Sequence, residues 1–298
     1  MDTTTTTFQH HRERLFGIAY RMLGAHADAE DVIHDTWIRL ASQDPGAIED
    51  PEAWLVTVTT RLSLDRLRRA KAERAQYVGP WLPEPLASEA DQPDLAQERD
   101  ESLRLSFLLL LERLSPEERA AFLLHDVFDY SHREAADILG IAEDACRQRA
   151  HRAKTRMREG RPRFDVAPGA HVRMLDRFME AMAQPTLERL RALFSEDAVH
   201  ISDGGGVVRA SLRPFVGADR LARLYLQIAQ QLPATTRYEP GTLNGMPALL
   251  WREGDALAGA LWIDTDGSHI TGIYAIRHPA KLARLSAQAF GSSNTLAP

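Results

Sequence analysis

The pattern of apolar and polar positions in residues 131–158 predicts two short helices joined by a tight turn. Ser131 and Glu134 have the spacing of a capping box that opens the first helix, and Gly140 marks the turn after it. Four apolar positions then recur at helical spacing and predict one buried stripe along the second helix. They are Cys146, Ala150, Ala153 and Met157. Helix, turn and helix in this order is typical of proteins that read the major groove of DNA.

The outward positions of the second helix are strongly basic. Between Arg147 and Arg163 the sequence has eight arginine and lysine residues against the single acid Glu159. Guanidinium groups bond both phosphates and guanine edges, so this helix is a candidate DNA-binding element. The alternative is an ordinary helical hairpin with a solvated basic face.

Residues up to about 76 have the pattern of a helical bundle. Apolar spacing predicts helices from Phe8 to Leu23 and from Asp28 to Leu40, and Asp50 before Pro51 caps a third, long helix. The second helix has an acidic outer face, and the far half of the third is basic. Either face alone is typical of a solvated helix, but together with the basic helix-turn-helix they favour a role in binding.

Residues 77–104 are rich in proline and acid, which predicts an extended linker. Trp81 and Leu82 are apolar residues within this polar segment. They indicate either an anchor on another surface or an isolated surface tryptophan.

From about residue 164 the pattern changes to mixed helix and strand. Predicted helices are 171–183, 187–194 and 218–232; predicted strands are 199–202, 207–210, 238–243, 248–251, 257–264 and 270–276. Asp203 and three glycines form the turn between the first two strands. The order predicts an antiparallel sheet with covering helices.

Composition narrows the class of protein. A chain of 298 residues with 44% hydrophobic and 26% charged residues is expected to hold two or three domains. No apolar run is long enough to span a membrane and no signal peptide is evident, so a cytoplasmic location is expected. The net charge of −6 argues against indiscriminate nucleic-acid coating. The single cysteine, Cys146, is expected in the core, with redox sensing as a minor alternative, and no metal or other cofactor is predicted.

Three segments carry a family resemblance: 28–41, 52–69 and 114–158. In order and spacing they resemble region 2 and region 4 of an extracytoplasmic-function (ECF) sigma factor of the sigma-70 family. The resemblance implies two all-α sigma domains, a region 2 helical bundle and a region 4 helix-turn-helix. Residues 1–76 would be region 2 and residues 105–163 region 4, on either side of the linker 77–104. The partners implied are bacterial RNA polymerase core and the minus-35 and minus-10 elements of promoter DNA.

The same resemblance assigns roles to matching positions. The acidic face of the second helix would dock on polymerase and consists of Glu30, Asp31, His34 and Asp35. Positions matching the minus-10 reader are Trp54, Thr57, Arg61, Asp65, Arg68 and Arg69. Positions matching the minus-35 recognition helix are Arg147, Gln148, Arg149, His151 and Arg152. Ala142 departs from the usual Ser or Thr cap, which weakens the helix start without removing it because Glu143 and Asp144 favour the positive helix end.

Residues 164–298 are assigned to a SnoaL-like domain by a resemblance that covers about residues 168–285. This is an α+β fold in which helices cover a cone-shaped, curved sheet, and one sigma subgroup carries it. The linker residues Trp81, Leu82 and Pro83 match the subgroup's linker signature. Two further marks would make regulatory contacts between domains and comprise Asp203, Gly204, Gly205, Gly206, Pro279 and Lys281. The second mark departs from the usual NPDK form at His278 and Ala280.

The last domain leaves alternatives open because enzymes share its fold. Asp203 could be a buried general base, although no catalytic partner, metal spacing or nucleotide loop accompanies it and His200 has the opposite strand parity. A turn in which Asp203 bonds its own backbone is the simplest alternative. A small-molecule ligand in the pocket also stays open. We therefore expect a non-enzymatic sigma factor regulated in cis by its last domain; the alternatives are a polymerase-independent helix-turn-helix regulator and a SnoaL-like enzyme or sensor with a DNA-binding appendage.

Overall fold

The computed structural model describes residues 3–44, 46–87, 101–160, 166 and 169–291. The chain forms two compact units. The amino-terminal unit comprises Met1–Gln76 and Gln97–Arg161, and the carboxy-terminal unit comprises Tyr77–Ala96 and Pro162–Pro298. Residues 77–87 form no helix, as predicted, but they are packed in the carboxy-terminal unit instead of forming a separate extended linker. Residues 88–100 of the predicted linker lie outside the described residues, and Glu101–Leu103 form a 3₁₀ turn.

The amino-terminal unit is helical throughout its described part. Its α-helices are α1 (Thr3–Leu23), α2 (His26–Ala41), α3 (Pro51–Arg74), α4 (Leu105–Leu111), α5 (Pro116–Phe122), α6 (His132–Leu139) and α7 (Glu143–Gly160). A short 3₁₀ turn, Glu101–Leu103, precedes α4, and a π-helical turn, Leu123–Val127, follows α5. Asp50 caps α3 by accepting a hydrogen bond from the backbone N–H of Ala53, as the sequence predicted.

The predicted helix-turn-helix is present in α6 and α7. Ser131 and Glu134 form a reciprocal capping box, and Gly140 ends α6 with a φ of 65°. Such a left-handed conformation costs glycine little. The four predicted stripe residues of α7 are all buried, which directs the basic positions outward. The capping box, the glycine turn and the apolar spacing therefore predicted this motif correctly.

The carboxy-terminal unit packs helices against a sheet. The helices are α8 (Ala170–Ala183), α9 (Leu187–Arg191), α10 (Ala218–Gln231) and α11 (Pro279–Gly291). The strands are β1 (Phe194–Asp203), β2 (Phe215–Val216), β3 (Thr236–Leu243), β4 (Met246–Glu253), β5 (Ala256–Thr265) and β6 (Ile270–Ile276), in the sheet order β2-β1-β6-β5-β4-β3. Its core joins α8 and α10 to the sheet through residues such as Phe178, Tyr225 and Ile273.

Three predictions for this unit are wrong. The sheet is mixed, because β1 and β6 pair in parallel. Helix α9 ends at Arg191 instead of 194, since Phe194 already pairs with Ile270. Residues 207–210 form no strand; Val207 is 65% exposed, so its strand propensity is not supported by burial.

Candidate functional site

Asp203, at the end of β1, is the centre of a buried polar site in the carboxy-terminal unit. Its carboxylate accepts hydrogen bonds from the Tyr77 hydroxyl at 2.6 Å, the Leu82 backbone N–H at 2.8 Å and the Lys281 ammonium at 2.8 Å. Its side chain is fully buried. The alternative of a turn in which the Asp203 side chain bonds its own backbone is wrong, because the linker and α11 provide the donors instead.

Lys281 also contacts the linker directly. Its ammonium also donates to the Leu82 carbonyl oxygen at 2.5 Å and lies 4.1 Å from the ring centre of Trp81 and 5.4 Å from that of Tyr77. Cation–π attraction therefore adds to the ion pair. Burial, followed by the hydrogen bond to Asp203, raises the pKa of Tyr77, so the phenol stays a neutral donor. Both backbone polar groups of Leu82 are satisfied by one buried ion pair.

The glycine turn after β1 allows the linker and His278 to come close. A Cβ atom on Gly205 would lie 2.0 Å from the His278 ring and 2.8 Å from the Tyr77 hydroxyl, and one on Gly206 would lie 2.9 Å from the Cβ of Val78. A Cβ atom on Gly204 would lie 2.6 Å from both the Ala210 Cβ and the Val208 carbonyl oxygen. Since real Cβ atoms do not approach so closely, the three glycines are required by packing and not only by the turn.

A second linker contact lies at the turn between β3 and β4. The Leu86 N–H donates to the Asn244 side-chain oxygen at 2.9 Å, and the Asn244 N–H donates to the Leu86 carbonyl at 3.0 Å. Ala87 forms an isolated antiparallel bridge with Leu243. Leu82, Pro83 and Leu86 are buried, so the apolar linker residues act as anchors.

The sequence analysis predicted regulatory contacts for Trp81, Leu82, Asp203, Lys281 and the three glycines, and the structure places all of them at this site. The structure adds Tyr77 and Asn244, which were missed. Tyr77 stands 126 positions before Asp203, and no local pattern links the two. Pro279 begins α11 and thereby fixes the helix that carries Lys281.

His200 lies away from Asp203, on the helix-covered face of β1. Its Nδ1 is 3.0 Å from the hydroxyl of Tyr225, and burial lowers its pKa to about 4. The opposite strand parity expected from sequence accounts for this separation. In the described part of the chain, no three histidine, cysteine or acidic residues are grouped to hold a metal ion.

The basic helix α7 presents an exposed face in the amino-terminal unit. Gln148, His151 and Arg152 are exposed, and Arg149 is half-buried. Arg147 pairs with Glu143 at 2.8 Å along the helix. The predicted recognition residues therefore share one accessible surface.

Two of the predicted minus-10 residues on α3 contact α5 and α6. Arg61 donates to the carbonyl oxygens of Ile138 at 2.8 Å and Asp137 at 3.2 Å. Arg68 bonds Asp65 at 2.9 Å and Glu117 at 3.0 Å. Two further predicted residues bond within α3: the Thr57 hydroxyl donates to the Ala53 carbonyl, and Arg69 donates to the Asp65 carbonyl. Trp54 is half-buried.

The acidic face of α2 borders an open groove of about 190 Å³ against α1, whose floor includes Phe8, Ile33 and Trp37. Glu30 and His34 line its rim. Glu30 pairs with Arg12 at 2.6 Å, Asp31 lies 3.8 Å from Arg66, and Asp35 is exposed. The four predicted docking residues thus occupy one helix, but two of them are partly neutralised.

Comparison with known proteins agrees with this arrangement. Residues 7–73 match the family model described as Sigma-70 region 2, and residues 104–157 match Sigma-70, region 4. The chain is 38% identical over 237 residues to the ECF RNA polymerase sigma factor SigJ of Mycobacterium tuberculosis, over 78% of this chain and 74% of that protein. It is 32% identical over 293 residues to the probable ECF RNA polymerase sigma factor SigI of that species, over 97% and 98% of the two chains. The crystal structure of M. tuberculosis SigJ matches with a TM-score of 0.75 and 30% identity, over 94% of this chain and 98% of that one.

A three-helix region 2 and a helix-turn-helix region 4 define a sigma-type transcription initiation factor. The chain belongs to the ECF sigma factors of the sigma-70 family. It acts with RNA polymerase to direct transcription and is not an enzyme, and its carboxy-terminal unit has the SnoaL-like fold. No helix among the described residues is long and apolar enough to cross a bilayer.

Proposed function

We propose that the carboxy-terminal SnoaL-like domain regulates this sigma factor in cis by holding the start of the linker between regions 2 and 4. The observation that carries the proposal is the buried pair of Asp203 and Lys281, which bonds both backbone groups of Leu82. A linker held in this way has a restricted path when regions 2 and 4 engage polymerase. Because the regulator is fused to the chain, it acts at a high effective concentration without a second protein.

The promoter and polymerase contacts belong to the same proposal. Residues of α7 read the minus-35 element, residues of α3 read and open the minus-10 element, and the acidic face of α2 docks on polymerase. Supporting observations are the exposed basic surface of α7 and the position of Glu30 and His34 on one groove rim. Opposite charge at the docking face favours encounter with a basic partner.

Run-off transcription from a randomised promoter library tests the proposal. Purified bacterial core polymerase is combined with the full chain or with its Lys281→Met variant, which loses the ammonium but keeps an apolar stem. We expect specific initiation from the full chain and changed promoter output from the variant. A variant with unchanged output, despite a released linker, contradicts regulation in cis. Failure of the wild type to initiate from any template contradicts the assigned promoter contacts.

Residues 1–163 provide a second comparison in the same assay. Removal of the SnoaL-like domain is expected to change output in the same direction as Lys281→Met, since both release the linker. Opposite directions would show that the domain acts through something other than its hold on Leu82.

A further inference from the structure

In the described part of the amino-terminal unit there are two capping boxes, and their glutamates differ in burial. In α6 the Glu134 carboxylate accepts from the Ser131 N–H at 2.8 Å and is exposed. In α5 the Glu118 carboxylate accepts from the Ser115 N–H at 3.1 Å and is buried. A capping box needs only a Glu or Gln at this position, so burial of a charged carboxylate indicates a further task.

That further task involves the recognition helix. The two carboxylate oxygens of Glu118 accept from Arg152 at 3.3 Å and from Arg156 at 2.5 Å. These arginines are one turn apart on α7, and their side chains are about half exposed, at 53% and 49%. Burial alone would raise the pKa of Glu118, but the Ser115 hydrogen bonds and the two arginines outweigh it and lower the pKa. The carboxylate is therefore ionised.

Each arginine uses only one nitrogen on Glu118 and keeps the other donors of its guanidinium group. Lys154, on the same helix, is held by Asp126 at 2.5 Å. By contrast, the side chains of Gln148 and His151 are exposed and make no hydrogen bond to another side chain in the described residues. The polar side chains of α7 thus fall into two groups. Arg152, Lys154 and Arg156 are held by the carboxylates of Glu118 and Asp126, whereas Gln148 and His151 are available for base edges.

We propose that Glu118 is a positioning residue for minus-35 recognition: it fixes Arg152 and Arg156 to contact phosphates, and so sets the register in which Gln148, Arg149 and His151 meet the bases. Phosphate contacts fix register and orientation on a duplex, whereas base contacts specify sequence. Arg152, which sequence reasoning placed among the recognition residues, becomes a phosphate contact. The inference rests on the proposed function, because it needs α7 to bind the minus-35 element.

The test compares initiation by the full chain with core polymerase on two templates. One is a promoter recovered from the library, and the other is the same promoter with its minus-35 base pairs scrambled. The variant is Glu118→Gln, which retains the capping box but removes the charge that holds the arginines. The matched control is Glu134→Gln, the same change at the other capping box. We expect Glu118→Gln to lower the ratio of output between the templates by roughly threefold or more, because loose phosphate contacts no longer fix the register. The control is expected to keep the wild-type ratio.

A purely structural role gives a different result, since loss of folded protein lowers output on both templates equally and leaves their ratio unchanged. An unchanged ratio in Glu118→Gln therefore overturns the inference. A wild-type ratio near one instead overturns the assignment of α7 to the minus-35 element. Arg152→Gln provides a second check: it should lower the ratio in the wild-type chain but much less in the Glu118→Gln chain, because the two changes remove the same contact. Additive effects would show that Glu118 does not act through Arg152.

Discussion

The carboxylate of Asp203 and the ammonium of Lys281 lie 2.8 Å apart, and both side chains are almost completely buried. A buried ion pair compensates for its lost hydration only when the remaining donors and acceptors are also satisfied. Here the Leu82 N–H, the Leu82 carbonyl oxygen and the Tyr77 hydroxyl satisfy them, and all three groups belong to the linker segment. Undocking of the linker would remove these hydrogen bonds, so the polar site is coupled to the position of the linker.

Replacement of Asp203 by Asn is expected to destabilise the carboxy-terminal unit by about 3 kcal/mol, because it removes the negative charge that balances the buried ammonium of Lys281. Urea unfolding of the full chain, followed by tryptophan fluorescence, measures the change. Asp219→Asn is the control, since Asp219 pairs with Arg191 at an exposed site and such pairs contribute at most about 1 kcal/mol. Equal effects of the two changes would contradict the role given to the buried pair.

The glycine turn provides a prediction with a close control. Gly205→Ala places a Cβ 2.0 Å from the His278 ring at a φ of +59°, whereas Gly254→Ala has a φ of +63° and no atom within 4 Å. Both changes incur the backbone cost of about 1 kcal/mol for a left-handed residue. Only Gly205→Ala is expected also to displace His278 and Tyr77, and so to make the linker more susceptible to limited proteolysis. Similar cleavage rates in the two variants would show that the close contact does not hold the linker.

Local sequence rules predicted much of the amino-terminal unit. The capping box at Ser131, the turn at Gly140 and the buried stripe that includes Cys146 each depend on residues within about four positions of each other. The parallel pairing of β1 with β6 and the bond from Tyr77 to Asp203 join distant segments and leave no periodic signal. The residues of the linker site were chosen through family resemblance, while their contacts required the fold.

Acid should weaken the carboxy-terminal unit through His200. Burial lowers the pKa of this imidazole from 6.5 to about 4, so between these values the unfolded chain binds a proton that the folded chain does not. Stability is therefore complete above about pH 6.5 and falls by up to about 3 kcal/mol as the pH approaches 4. Urea unfolding at several pH values should show a shallower dependence in His200→Gln than in His269→Gln, which alters a half-exposed histidine. An identical pH dependence of the free energy of unfolding in the two variants would contradict the role given to His200.

Arg61 and Arg69 separate two roles on α3. The Arg61 side chain bonds the carbonyl oxygens of Asp137 and Ile138 in the last turn of α6, whereas among the described residues Arg69 bonds the Asp65 carbonyl of its own helix, at 3.4 Å. Arg61→Ala is expected to destabilise the amino-terminal unit by about 1 kcal/mol, because two charge-assisted bonds at a partly exposed site are lost, and Arg69→Ala should have little effect on stability. Both should reduce open-complex formation if α3 binds the minus-10 element. Urea unfolding measures the first effect and permanganate reactivity of promoter thymines measures the second; a large stability loss in Arg69→Ala would contradict the contacts described for α3.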